Sequence, residues 1–549
     1  MSILSRQIRL DMAAAAAGTA ISLSSALLLG CSAGTAADSA EYMVIPQPNE
    51  ITYMAGSTVI PDKVAIAFPE EFASEAAMLG RYLSEDFNVR PVLRRDRSSG
   101  RILLKKDPAL GSIPGQYRIS ADGKIEISSA TAEGIFYGIQ SLRQMITRDT
   151  VSAVLAVRNG EINDHPAFQW RAFMLDDARN FRGMESVKMF LDEMARLKMN
   201  VFHWHLTDDQ GWRIEIPEYP LLTEVGSRRD STHIGGWNSH EYDPNPQEGF
   251  YTQDQIREVL EYADARHITV MPEIEMPGHS SAAIAAYPWL GTIGKPFRTP
   301  CRFGYAADLF DVSRPEVVAF LCDILDEIMA LFPGPVIHIG GDEVSFNMWE
   351  NAPTVRKYMA EHNIGSLSEF QLDFTDRISA YIASKGRRMM GWSDIGLNPD
   401  ENAAGVTDTG DGLAEGSIIQ FWKGDLSQIT DVAERGYDVV NSYHMCTYLD
   451  YNYEWIPLKN AYDFSPIPDS LPENLHGKII GFGCQLWTEW IMTDEKMCRQ
   501  AFPRIAALAE AGWTDTANKD YGRFRDTKLP RLLEIWDAEG IVYHNPYTD

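Results

Sequence analysis

The feature that most constrains this 549-residue chain is a repeat that begins at Phe168. From there, short apolar stretches alternate with longer amphipathic ones. The short stretches are WRAFMLD, NVFHWHLTD, ITVMPEIE, VIHIGGDE, RMMGWSD, SIIQFW, YDVVNSY and IIGFGCQLW. Each has the length and composition of a strand buried on both faces. Several are separated by segments such as VKMFLDEMARLKM and TQDQIREVLEYADARH, whose apolar residues recur every three to four positions, as on a helix with one buried face. Eight strand–helix units across residues 166–549 predict an α/β fold, a (β/α)8 TIM barrel. A doubly wound sheet would be shorter, and no glycine-rich dinucleotide fingerprint follows the first strand.

Residues 42–165 read differently, as a small α+β domain. YRISADGKIEISS alternates around a turn at Asp122-Gly123, and a helix is expected over residues 131–145. No charged constellation there suggests chemistry, so this domain is expected to be non-catalytic. Asp164-His165-Pro166 marks the boundary.

Ahead of both, Arg6 and Arg9 precede an apolar, small-residue run over residues 12–29 that ends in Leu28-Leu29-Gly30-Cys31. The run is short and Ala/Ser-rich for a membrane span, and its end resembles a bacterial lipobox. The expectation is a signal peptide over residues 1–30, lipidation at Cys31 and a polar tether over residues 31–41. That would make the protein a lipoprotein of the cell envelope, periplasmic or outer-membrane, held to the membrane by its anchor. Of the other cysteines, Cys301, Cys322, Cys446, Cys484 and Cys498 form no C-x-x-C pair, so neither a zinc site nor a disulfide framework is indicated. One disulfide among them would suit an oxidising compartment. The net charge of −28 excludes a nucleic-acid partner, which requires a basic footprint.

Function is carried by where the polar residues fall. Each predicted strand starts apolar and ends in groups able to act on a ligand: Asp176, His205 and Asp208, Glu273 and Glu275, Asp342 and Glu343, Trp392 and Asp394, Trp422, Tyr443, Trp487. The C-terminal ends of barrel strands build the active site. In HIGGDEV, Gly340 and Gly341 permit a tight turn, and two adjacent carboxylates follow. Like charges that close push their pKa values apart, which suits one protonated acid and one ionised stabiliser. Acidic residues in a helix first turn are the plainer explanation of such a pair; its place at a barrel mouth favours the chemical one. Trp392, Trp422 and Trp487 would wall an apolar cage suited to stacking sugar rings.

The ordered motifs LDDAR, FHWHLTDDQGWR, EIEMPGH, HIGGDEV, GWSD, TYLD and LWTE resemble family 20 glycoside hydrolases, the β-N-acetylhexosaminidases. IPQPN resembles the start of the domain that precedes the barrel in that family. The resemblance implies an exo-acting enzyme that removes terminal β-linked N-acetylglucosamine or N-acetylgalactosamine from glycans, with retention and with the substrate's acetamido group as nucleophile. It implies Glu343 as general acid/base, Asp342 and Tyr448 as groups that hold the acetamide, and Asp208 and His279 as support for Glu343. Arg179, Asp450 and Glu489 would bind hydroxyls, and Trp392, Trp422 and Trp487 would line the pocket. Tyr443 lies near enough in sequence to compete with Tyr448. No metal or cofactor is implied, and no motif specifies an oligomeric state.

Two other classes are open to the sequence. His203 and His205 form an H-x-H pair of the kind used by metal-dependent amidohydrolases, although those place it on the first barrel strand rather than the second. A non-catalytic sugar-binding lipoprotein would be expected to lack the acid, yet Glu343 is present.

Overall fold

A computed structural model describes residues 41–96, 98–149, 153–396 and 412–548. The expected signal segment, Cys31 and all but the last residue of the tether lie outside these residues.

The N-terminal domain is one sheet backed by two helices. Its strands are β1 (Glu50–Ile60), β2 (Lys63–Phe68), β3 (Arg90–Arg95), β4 (Ile102–Lys106), β5 (Tyr117–Ala121), β6 (Ile125–Ser129), β7 (Thr147–Arg148) and β8 (Leu155–Asp164). They pair in the order β1-β8-β5-β6-β4-β2-β3, with β7 beside β8. The Asp122–Gly123 turn joins the antiparallel pair β5–β6, with Gly123 at φ +68°. Helix α1 (Ala73–Phe87) and helix α2 (Ala132–Met145) pack on each other and on the sheet.

The barrel strands are β9 (Trp170–Asp176), β10 (Val201–His205), β11 (Thr269–Glu273), β12 (Val336–His338), β13 (Arg388–Trp392), β14 (Ile418–Phe421), β15 (Asp438–Asn441) and β16 (Ile479–Leu486). They follow one another around a closed parallel barrel in chain order, β16 pairing with β9. Helices α3 (Met184–Arg196), α4 (Gln253–Asp264), α5 (Pro315–Leu331) and α6 (Leu367–Ser384) follow the first four strands. After the last three come α7 (Gln428–Glu434), α8 (Leu458–Asp463) and α9 (Arg504–Trp513). Between β13 and β14 the described residues hold a 3₁₀ turn, Ser393–Ile395. Helix starts follow local chemistry, as at α4, where Thr252 and Gln255 form a reciprocal capping box worth about 1 kcal/mol.

Side-chain alternation explains how the barrel interior changes character along its axis. Ala172, Val201, Met271, Val336, Met390, Ile418 and Val440, one from each of seven strands, form a separate apolar cluster with Ile480 of the eighth packed against it. Two residues further along the same faces stand His203, Glu273, His338, Trp392, Gln420 and Ser442. An apolar plug thus closes the lower barrel, and a buried polar layer sits directly above it, under the mouth.

The two domains share a buried polar seam at the predicted boundary. One carboxylate, Asp164, accepts hydrogen bonds from Lys198 Nζ at 3.2 Å and Trp513 Nε1 at 3.0 Å, and from the Tyr117 hydroxyl. Cys301, Cys322, Cys446, Cys484 and Cys498 are all free thiols, so the disulfide considered above is not formed among them.

Candidate active site

Strand register assembles the floor. Asp176 pairs with His205, His205 with Glu273, and Glu273 with His338, so four polar ends form one row across neighbouring strands. Glu273 is its hub. One oxygen accepts the Trp392 indole N–H at 2.7 Å, and the other lies 2.6 Å from His205 Nδ1. His203 and His338 approach the same carboxylate at 2.8 and 2.9 Å. Burial opposes its charge, but the His338 and His205 rings hold Glu273 well below the usual carboxylate range. Burial also pushes His203 down to about 4, so that ring is neutral, whereas Glu273 and Asp208 outweigh burial at His205 and keep it an imidazolium.

From His205 a chain of charges climbs the wall. Asp208 Oδ2 lies 3.0 Å from His205 Nε2 and 2.8 Å from the Arg179 guanidinium. Despite burial, Arg179 and His279 draw Asp208 well below its ordinary value. His279 Nδ1 stands 3.3 Å from Asp208 Oδ1, and its Nε2 stands 3.9 Å from Asp342 Oδ2 and 3.8 Å from Glu343 Oε2. Burial opposes its charge, but Asp208 raises the His279 pKa well above 6.5. The structure therefore brings Asp208, His279, Asp342 and Glu343 together.

A strained turn delivers the two acids. A β-carbon on Gly340, at φ +66°, would collide with the Glu275 carboxyl, and one on Gly341, at φ +91°, would lie 2.3 Å from Ile395 Cγ2. Only glycine fits either position. Glu343 at φ +49° and His279 at φ +47° both occupy left-handed conformations that cost a side-chain-bearing residue about 1–2 kcal/mol each. Asp342 ends up buried, with Oδ1 lacking a hydrogen-bond partner among the described residues. Burial pushes its carboxyl up to about 8; His279 opposes the rise, and Asp394 and Glu343 add to it. The Glu343 side chain is 60% exposed at the mouth.

The opposite wall is aromatic. Trp392 lies 5.7 Å from Trp487, Trp487 6.2 Å from Tyr448, and Tyr448 6.3 Å from Trp422, with the last two rings nearly parallel. Trp422 is fixed by a 2.9 Å bond to Asp394. This ring chain includes Tyr448, while Tyr443 packs against Phe421, which separates the two tyrosines that the sequence left competing. Arg179 lies over Trp487, 4.8 Å from the ring centroid. Glu489 is pushed up to about 6 by burial against the pull of Arg179. Asp450 is raised by burial and by Glu489, and its Oδ1 has no hydrogen-bond partner among the described residues. Arg179, Asp208, His279, Glu343 and Glu489 line a common cavity of about 210 Å³.

Sequence reading overlooked Glu273 as an organiser and Thr488 as a closure. Thr488 donates its backbone N–H to Asp176 at 2.9 Å, tying the last strand to the first above the barrel. Glu273 ends a strand, as noted, but its three histidine neighbours come from register, which a linear pattern does not reveal. The donor sets His203–Glu273–His338 and His205–Asp208–Glu275 are each compact enough for a cation. Glu273 and Asp208 are already committed to N–H donors, and Arg179 places a fixed positive charge against Asp208.

Comparison with known proteins agrees with this architecture. The family model "Glycosyl hydrolase family 20, catalytic domain" matches residues 168–516, and "Glycosyl hydrolase family 20, domain 2" matches residues 41–165. A beta-hexosaminidase of Porphyromonas gingivalis is 35% identical over 92% of this chain, which spans 65% of that relative's length. A beta-N-acetylhexosaminidase of Cellulomonas fimi is 30% identical over 85% of this chain and 88% of its own. The crystal structure of the GH20 exo beta-N-acetylglucosaminidase of Vibrio harveyi, in complex with N-acetylglucosamine, superposes with a TM-score of 0.81 at 30% identity, covering 92% of this chain and 79% of that one. These matches remove the amidohydrolase alternative drawn from His203 and His205. Barrel, preceding domain and ordered site together mean that this chain belongs to glycosyl hydrolase family 20.

Proposed function

We propose that the protein hydrolyses terminal β-linked N-acetylhexosamine residues with retention, using the substrate's own acetamido oxygen as nucleophile. One observation carries this reading: two consecutive carboxylates stand beside one histidine, His279, in opposite environments, one buried and one exposed. Retaining glycosidases that use a carboxylate nucleophile hold two carboxyls about 5 Å apart across the sugar, and substrate-assisted families are the exception. Here buried Asp342, with one oxygen unpartnered, suits an amide N–H, and exposed Glu343 suits the glycosidic oxygen at the mouth.

In the first step the acetamido oxygen attacks the anomeric carbon while the bond to the leaving oxygen breaks and Glu343 gives that oxygen its proton. Asp342 accepts the amide N–H and faces the positive charge of the resulting oxazolinium, and Tyr448 hydrogen-bonds the acetamido oxygen. Water then attacks the anomeric carbon, Glu343 takes its proton, and the acetamide is restored. Asp208 and His279 set the charge around Glu343. Arg179, Asp450 and Glu489 hold ring hydroxyls, while Trp392, Trp422 and Trp487 enclose the apolar face. A thiazoline mimic of the oxazolinium should inhibit about a hundredfold or more tightly than N-acetylglucosamine. Equal inhibition by the two would refute participation of the acetamide.

We further propose, from the Leu-Leu-Gly-Cys sequence alone, that Cys31 is lipidated and that the enzyme works in the cell envelope on oligosaccharides or glycoconjugates.

A further inference from the structure

Trp237 is an exposed indole held rigidly at the rim of the catalytic cavity. It is 55% exposed and lines the same cavity as Glu343, Ser345 and Glu489. Its ring meets Trp490 edge-on, with centroids 5.1 Å apart at 86°. Trp490 is in turn packed edge-on against Phe303 at 5.4 Å and His233 at 5.1 Å. Gly304, at φ +66°, makes room for the indole: a β-carbon there would lie 3.0 Å from Trp237 Cζ3. Three loops, following β10, β11 and β16, therefore converge to fix one solvent-facing aromatic surface. Single exposed apolar residues are ordinary and need no explanation. Trp289, 40% exposed against Phe320 of α5, is one of these, since it lines no part of the cavity.

Resting on the reading above, we propose that Trp237 is the stacking platform for the sugar ring on the leaving-group side of the scissile bond. An exo-acting pocket encloses only the terminal residue, so the part of the substrate that passes its rim is the leaving group. The group that protonates the leaving oxygen, Glu343, lines the same cavity as Trp237. A flat, preorganised indole offers its π face to the C–H face of a pyranose, with no rotamer ordering on binding. Trp237 thus favours substrates whose leaving group is itself a sugar.

The test compares kcat/KM of the wild type, Trp237→Ala, Trp237→Phe and Trp289→Ala on a β-linked N-acetylglucosamine disaccharide and on the methyl glycoside, which has no leaving-group ring. Trp237→Ala should lose about tenfold on the disaccharide and less than about twofold on the methyl glycoside. Trp237→Phe should fall between, and Trp289→Ala should match the wild type on both. Equal loss on both substrates would assign Trp237 to the terminal-ring pocket or to loop stability and overturn the proposal, as would no loss on either. A wild type inactive on both substrates would refute the hexosaminidase reading itself, an outcome distinct from the other two.

Discussion

Asp342 and Glu343 are consecutive in the chain, yet Asp342 is 8% exposed while the side chain of Glu343 is 60% exposed. The Gly340-Gly341 turn and the left-handed Glu343 backbone produce that divergence, and His279 Nε2 stands 3.9 and 3.8 Å from the two carboxylates. Asp342 faces a low-dielectric interior that raises its proton affinity before any ligand arrives, and Glu343 faces water.

Ligand binding should therefore move a proton at Asp342. In the free site burial holds this carboxyl up at about 8, so it is largely protonated at neutral pH. An acetamide N–H favours the ionised form, so binding lowers the pKa and releases a proton. Affinity for N-acetylglucosamine should rise as pH climbs toward 8, by up to about tenfold per unit, and flatten above it. Competitive inhibition across pH measures this, with Asp342→Asn subtracting the contribution of Glu489, itself raised to about 6. A pH-independent inhibition constant in the wild type would contradict the assignment.

Glu273→Gln should lower stability and activity together. The carboxylate compensates the His205 imidazolium at 2.6 Å, and losing one partner of a buried pair costs about 3–5 kcal/mol. The same change loosens the Trp392 indole and the Asp208 wall above it. Denaturant unfolding and kcat/KM on an aryl glycoside check both. A variant as stable and active as the wild type would show the hub to be incidental.

How much of this was legible beforehand depended on whether a property lies along the chain or across it. The alternation of strands and helices, the Gly-Gly-Asp-Glu turn and the three tryptophans at strand ends are linear signals, and they predicted the barrel and its mouth. The interior face of β10 was hidden, because Val201, Phe202, His203, Trp204 and His205 are all buried and alternation disappears when both faces are covered. Glu273 gathers its histidines through register between separate strands, and Trp237 through the meeting of three loops, neither of which leaves a spacing in the sequence.

Cys31→Ser should move the protein from the membrane fraction to a soluble or unprocessed form. Retention in the membrane fraction with unchanged mobility would rule out the lipid anchor.

The separate duties of the adjacent acids are tested most directly by leaving-group dependence. Glu343→Gln removes the proton donor, a contribution of about 100- to 10,000-fold, so its defect should shrink as the leaving phenol becomes more acidic. Asp342→Asn impairs the acetamide, which must be oriented whatever departs, so its defect should stay constant. The measurement is kcat/KM for both variants across aryl N-acetylglucosaminides of graded phenol acidity. Rescue confined to Glu343→Gln is the predicted result. Rescue of Asp342→Asn instead, or a loss below about tenfold in both variants, would contradict the account.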